Sequence, residues 1–227
     1  MVCGVILRMA LALFLSTYEC VYEQQLVFTD IDYKVYSDAA LYPSPYERHT
    51  YRYSPLLAYL NAANYSLHEV TGKLILSLFD GAAMIVLFLL VSRGESGKHA
   101  LLVLKMYAYN PLFIALTVRG SCESITLALM YSFWYCYFGG QANGNQSGLQ
   151  AITHKVTVRQ PDWKLRWASY FLYGLWVHFR VYPIVLLPLL LAHEYQRASG
   201  WKAVGKLVAE LGVGAGGVFL GLAALFY

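Results

Sequence analysis

Charge is what this sequence has least of. Asp, Glu, Lys and Arg together make up 13% of the 227 residues, against about 25% in a typical soluble globular chain. Apolar residues reach 58% and the mean hydropathy is +0.46. That balance excludes an ordinary soluble domain and indicates an all-α polytopic membrane protein, read as a single transmembrane domain over 1–227. A long basic run is missing too. The Lys and Arg residues sit in loops beside apolar segments, so no nucleic-acid partner is expected. Cysteine is sparse: Cys3, Cys20, Cys122 and Cys136 lie in or beside apolar runs without metal-ligand spacing. They read as small buried hydrophobes, and spacing alone leaves a Cys20–Cys122 disulfide open. Neither internal repeats nor charges spread through the spans are seen, which argues against a transporter.

What the chain does have is a succession of apolar runs. The first, 2–22, has about 20 residues, enough to cross a bilayer core of about 30 Å. Arg8 interrupts it, and it passes into Thr17-Tyr18-Glu19-Cys20 without a signal-peptide cleavage site, so a retained helix is expected. Further spans are expected over 74–91, 100–118, 125–138 and 208–227. Asp80 within the second and Asn110, beside Pro111 in the third, read as interhelical hydrogen-bonders. Between the first two spans lies the long polar loop 23–70. In it Tyr33 to Tyr42 predicts a short amphipathic helix after an aspartate cap. Pro43, Pro45 and Pro55 punctuate the rest of the loop, and Pro55 to Ala63 predicts a second short helix. Asn64-Tyr65-Ser66 is a glycosylation sequon.

Most Lys and Arg residues fall in 93–99, 140–166 and 193–206, which places those loops in the cytosol and 23–70 and 119–124 on the opposite face. The segment 167–192 is basic at both flanks. It is therefore expected to enter and leave by one face, as a re-entrant pair of short helices with His178-Phe179-Arg180-Val181-Tyr182-Pro183 at the tip. Each arm has only about a dozen residues, about 18 Å at 1.5 Å per residue. Ionisable groups at membrane depth cost about 2.5–3.5 kcal/mol each. Three polar clusters on one face, at 23–70, 119–124 and 178–183, therefore point to a shared aqueous pocket.

Those clusters carry a resemblance. Thr29-Asp30-Ile31-Asp32-Tyr33-Lys34-Val35-Tyr36-Ser37-Asp38, with Ser44-Pro45-Tyr46-Glu47-Arg48 and Thr50-Tyr51-Arg52-Tyr53-Ser54-Pro55, resembles the first lumenal loop of GPI mannosyltransferase I, the PIG-M family. Arg119-Gly120-Ser121-Cys122-Glu123-Ser124-Ile125 and Val177-His178-Phe179-Arg180-Val181-Tyr182-Pro183 resemble two further motifs of that family, in the same order. Members of the family continue with more spans beyond the equivalent of 208–227, so this chain is expected to be a fragment lacking the C-terminal part. The resemblance implies a GT-C-like helical bundle with a large first lumenal loop, in the endoplasmic reticulum membrane. The implied reaction moves mannose from dolichyl-phosphate mannose to glucosaminyl-phosphatidylinositol in an α1,4 linkage, with inversion. A small membrane-anchored accessory subunit is implied as a partner, beside the two lipid substrates.

An inverting transfer needs a base for the acceptor hydroxyl. Asp30 and Asp32 form an Asp-x-Asp pair that would face one side of an extended stretch, where each carboxylate tunes the other. Asp32 is expected to be the base, with Asp30 orienting it; Asp38 reads as structural. Such pairs often hold a divalent metal on a diphosphate. A lipid monophosphate donor weakens that need, so no obligatory metal is expected. Positive groups for the phosphate are Arg52, Arg119, His178 and Arg180, with Arg48 behind them. Glu123 is read as a partner of Arg119 or of a sugar hydroxyl. Tyr51 and Tyr53 would line the sugar or polyprenyl site or form an interfacial belt. Competing readings are another dolichol-dependent GT-C mannosyltransferase and a non-catalytic or inactive fragment.

Overall fold

The computed structural model describes residues 1–21, 28–139, 163–198 and 200–226. Residues 22–27, which open the loop expected over 23–70, most of the loop expected over 140–166, residue 199 and Tyr227 lie outside the described residues, as does the side chain of Cys20. All regular structure among the described residues is helical. The chain divides into two compact units, Met1–Ala128 and Leu129–Tyr227.

The first unit contains α1 (Val2–Val21), α2 (Ile31–Ala39), a 3₁₀ turn at Pro45–Glu47, and the short helices α3 (Pro55–Asn61) and α4 (Ala63–Ser66). These are followed by α5 (Thr71–Ser92), α6 (Gly97–Ala108), α7 (Pro111–Arg119) and the start of α8 (Glu123–Gly139). The 22 residues of α5 would reach about 33 Å at 1.5 Å per residue, the depth of a bilayer core. Between α6 and α7 the chain bends by 50°. Pro111 supplies no N–H to continue α6, and the Asn110 side chain accepts from Leu112 N–H at 2.9 Å, opening α7. Asn110 thus caps its own helix instead of bonding to another, correcting the sequence expectation. Pro55 opens α3 at its first position, where a missing N–H costs nothing.

Asp80 of α5 does join helices. Its carboxylate pairs with the Arg8 guanidinium of α1 and accepts from the Tyr107 hydroxyl of α6 at 2.6 Å. Arg8 Nη1 also donates to the carbonyls of Ala108, at 2.7 Å, and Gly4, at 3.0 Å. Arg8 is 0% and Asp80 1% exposed, so each charge has its counter-charge inside the helix packing.

The second unit contains the rest of α8, then α9 (Trp163–Phe179), a 3₁₀ segment at Tyr182–Leu186 and α10 (Leu187–Ala198). It continues with α11 (Trp201–Leu211), a π-helical stretch at Gly212–Gly216 and α12 (Gly217–Phe226). Its core is aromatic, with Phe133 of α8 packed on Tyr173 and Trp176 of α9. Gly174 lets α9 touch the π-helical stretch: a Cβ there would come within 2.6 Å of the Ala215 carbonyl oxygen. Arg166 ties α9 to α11 through Glu210 at 2.6 Å, with the Tyr170 hydroxyl joining both partners.

Among the described residues three helices are long and apolar enough to cross a membrane, over Val2–Glu19, Thr71–Ser92 and Val204–Phe226. The bent pair α6 and α7 makes a fourth if it forms one span.

The Arg8–Asp80 pair generates a stability prediction. Arg8→Met leaves the Asp80 carboxylate buried without a counter-charge, a loss of about 3–5 kcal/mol. Thermal melting of the full chain in detergent is expected to show a large fall in Tm for this variant. The double replacement Arg8→Met/Asp80→Leu, which leaves no charge behind, is expected to recover most of it.

Candidate active site at the junction of the polar loop and the 119–124 turn

The backbone of the polar loop is fastened to the turn after α7. Asp30 N–H donates to the Arg119 carbonyl at 2.9 Å, and Asp30 Oδ2 lies 4.0 Å from the Arg119 guanidinium. Asp30 Oδ1 accepts from the Asp32 N–H at 3.3 Å, making Asp30 the N-cap of α2. The two aspartates therefore do not share one face of an extended stretch. Asp30 has extended backbone (φ −63°, ψ 140°), whereas Asp32 already belongs to the first helical turn. A carboxylate at that position also suits the helix dipole. Asp32 nonetheless differs from Asp30 in availability. Its carboxylate has no hydrogen bond or ion pair with any described residue, and it is half-buried.

The next residue fixes the register of the junction. The Tyr33 ring lies where a Cβ on Gly120 would be, and Gly120 has φ +88°, a backbone conformation that L side chains rarely adopt. The Tyr33 hydroxyl donates to the Glu69 carbonyl at 2.9 Å, with Asn64 Oδ1 at 3.1 Å. Asn64 also accepts from Gly72 N–H at 2.6 Å and donates to Ser37 Oγ at 2.7 Å. The sequon asparagine is thus a buried joint between α2, α4 and α5. One turn along α2, Tyr36 is fully buried; its hydroxyl donates to Cys122 Sγ at 3.5 Å and its ring meets Tyr53 edge-on at 4.8 Å. Cys122 forms no disulfide with another described residue.

The remaining candidates sort by what they already hold. Tyr51 is fully buried and its hydroxyl donates to the Ser54 carbonyl at 2.6 Å. It fills the core of the loop and makes edge contacts there with Tyr46 and Tyr53. Arg48 pairs with Asp38 at 2.9 Å and reaches Thr50, so it braces the loop. Arg52 is exposed and donates to the Tyr51 carbonyl at 2.8 Å. Arg119 is half-exposed beside Asp30. Glu123 opens α8, its N–H reaching Ser121 Oγ at 3.4 Å. His178 and Arg180 belong to the second unit, at the C-terminal end of α9. There the His178 ring meets Phe219 edge-on at 5.9 Å, and its Nε2 is buried without a hydrogen-bond partner. Among the described residues no three His, Cys, Asp or Glu side chains gather as a metal site.

Sequence reasoning passed over one cluster. Lys73, in the first turn of α5 and 2% exposed, donates to Thr29 Oγ1 at 2.8 Å and Ser16 Oγ at 3.0 Å. Thr29 in turn donates through its N–H, at 3.2 Å, and its hydroxyl to the Glu19 carboxylate of α1. The available signal was a cation just after the loop and an anion just before it.

Burial pushes the Tyr33 phenol up from its ordinary value of 10.0 to about 12, and raises Tyr36 and Tyr51 as well; Cys122 and Asp32 add to the rise at Tyr36. Because the folded value of Tyr33 is the higher one, its contribution is fully present below about pH 10 and is lost as pH rises through about 12. Alkaline titration of the parent, followed by tyrosinate absorbance and thermal melting, is expected to show destabilisation across that window. Tyr33→Phe, which cannot ionise, is expected to lose less stability between those two values than the parent does.

Residues 2–226 match the family model described as "GPI transamidase subunit PIG-U". The chain is 32% identical over 220 residues to the "GPI alpha-1,4-mannosyltransferase I, catalytic subunit" of Danio rerio, an alignment covering 91% of this chain and 50% of that protein. It is 31% identical over 178 residues to "GPI mannosyltransferase 1" of Saccharomyces cerevisiae, with 76% of this chain and 38% of the relative covered. A Dictyostelium discoideum protein of the same name is 33% identical over 192 residues, covering 80% and 37%. The chain thus spans half or less of the length of these curated relatives. No solved structure matches it. The chain belongs to the PIG-U family, and the curated relatives it resembles are GPI mannosyltransferases.

Proposed function

We propose that this chain carries the loop-and-turn site of a GPI mannosyltransferase in the endoplasmic reticulum membrane, with the site facing the lumen. The reaction transfers mannose from dolichyl-phosphate mannose to glucosaminyl-phosphatidylinositol, forming the first α1,4 linkage with inversion. The names of the relatives support the class of reaction. The observation that carries the site assignment is the division between the two aspartates: Asp30 is held by its cap and by Arg119, while the Asp32 carboxylate is uncommitted. Asp32 accepts the proton of the acceptor hydroxyl as its oxygen bonds to the anomeric carbon and the mannose–phosphate bond breaks. Asp30 sets the position of Asp32 through the cap.

The departing dolichyl phosphate keeps the electrons of the broken bond and needs cationic donors. Arg119, beside Asp30, and the exposed Arg52 are assigned that role. Glu123 is assigned to a sugar hydroxyl and Tyr53 to the sugar's apolar face. A monophosphate leaving group is served by these cations without an obligatory metal. The GT-C-like bundle, the lipid substrates and a small membrane-anchored accessory subunit complete the proposed enzyme.

A second reading is favoured by the family model's own description: a subunit of a GPI transamidase. Complementation separates the two. Cells lacking the first GPI mannosyltransferase are supplied with the full-length protein, and surface GPI-anchored proteins are counted by flow cytometry. Restoration is expected from the parent, and near-complete loss from Asp32→Asn at unchanged protein level, a fall of about 100-fold or more if the base is removed. Restoration by Asp32→Asn overturns the base assignment; failure of the parent overturns the transferase reading. Transfer by membranes holding the parent is expected to persist after chelation with EDTA, and loss that added Mn²⁺ or Mg²⁺ restores would show an obligatory metal.

A further inference from the structure

We propose that Lys73 and Glu19 form a positioning pair for the Asp30–Asp32 carboxylates, acting through Thr29; the inference rests on the transferase reading of that site. The Thr29 hydroxyl stands between the two charges, accepting from Lys73 Nζ at 2.8 Å and donating to the Glu19 carboxylate. One hydroxyl can do both at once, since it has one hydrogen and free lone pairs. Thr29 N–H donates to the same carboxylate at 3.2 Å. The residue before Asp30 is thereby fixed on both its backbone and its side chain, by groups from α1 and α5. On its other side Asp30 is fixed by the Arg119 carbonyl. Lys73 also lies 5.5 Å from the centre of the Tyr33 ring, the residue directly after Asp32. Asp30 and Asp32 are therefore bracketed by two residues that Lys73 touches.

Packing alone does not require this arrangement. Lys73 is 2% exposed at the loop end of an apolar helix, where an aliphatic side chain would fill the space without a desolvation cost. Charge at that point does something an aliphatic residue cannot: it fixes a hydroxyl in direction as well as in place. A carboxylate acting as a base gains from placement within a fraction of an ångström, and a displacement of about 1 Å costs up to about 100-fold in rate. Lys73 and Glu19 do not themselves touch the reacting atoms, so they are positioning residues.

The test uses the full-length protein in membranes, with labelled dolichyl-phosphate mannose and glucosaminyl-phosphatidylinositol as probes. Protein level, Tm, kcat and KM are compared for the parent, Lys73→Met, Glu19→Gln and the double variant Lys73→Met/Glu19→Gln. Glu19→Gln strands the buried Lys73 charge and Lys73→Met leaves the half-buried Glu19 without its counter-charge, and each is expected to lower both Tm and kcat. The double variant leaves no stranded charge, so Tm and protein level are expected to return. Its kcat is expected to stay down by about tenfold or more with KM unchanged, which marks a loss felt in the transition state. Recovery of kcat together with Tm in the double variant reduces the pair to a structural clasp and overturns the proposal. A raised KM at normal kcat overturns it as well, by making the pair a substrate contact. Absence of transfer in the parent overturns the transferase reading and the inference with it, an outcome distinct from either of these.

Discussion

A charge enclosed by apolar helices must be neutralised where it lies, and the first unit is arranged around that requirement. Arg8 of α1 meets Asp80 of α5, and Tyr107 of α6 completes the carboxylate's shell, so three helices are locked at one depth. Nearer the loop, Lys73 of α5 and Glu19 of α1 meet through Thr29. Both devices use the same two helices. One makes them a rigid pair, and the other uses that rigidity to hold the start of the polar loop.

The loop in turn depends on the bend between α6 and α7. Pro111 and the Asn110 cap redirect the chain by 50°, and α7 then ends at Arg119 and Gly120. Only a glycine leaves room there for the Tyr33 ring at a positive φ. With Tyr33 seated, Asp30 reaches the Arg119 carbonyl and caps α2, and Asp32 is carried into the first turn with its carboxylate uncommitted. The unequal surroundings of two carboxylates in sequence Asp-x-Asp thus trace back to a proline, an asparagine and a glycine about 80–90 residues away along the chain.

The membrane-compatible helices were legible because apolar runs leave few other options, and α3 was legible from Pro55. The start of α2 was not: Thr29-Asp30-Ile31-Asp32 has the β-branched look of extended chain, and its helical turn is imposed by the cap and by docking on Gly120. The burial of Tyr51 was not legible for a similar reason. A tyrosine in a polar loop looks like a surface residue until the loop is seen to have its own aromatic core. Asn110 and Asn64 were each known as polar residues in suggestive places, but what they bond depends on tertiary neighbours that spacing does not encode. Lys73 was overlooked because it sits at the edge of an apolar run, where a lysine ordinarily reaches out to water.

Two activities stand behind the names of the family and of the relatives, and the lipid that accumulates when the protein is absent separates them most directly. Cells depleted of the protein are labelled with inositol and their glycolipids resolved. Accumulation of glucosaminyl-phosphatidylinositol species without mannose is the result expected of a first mannosyltransferase. Accumulation of complete, mannose-containing GPI lipids that fail to reach protein would contradict it and place the chain at the attachment step instead.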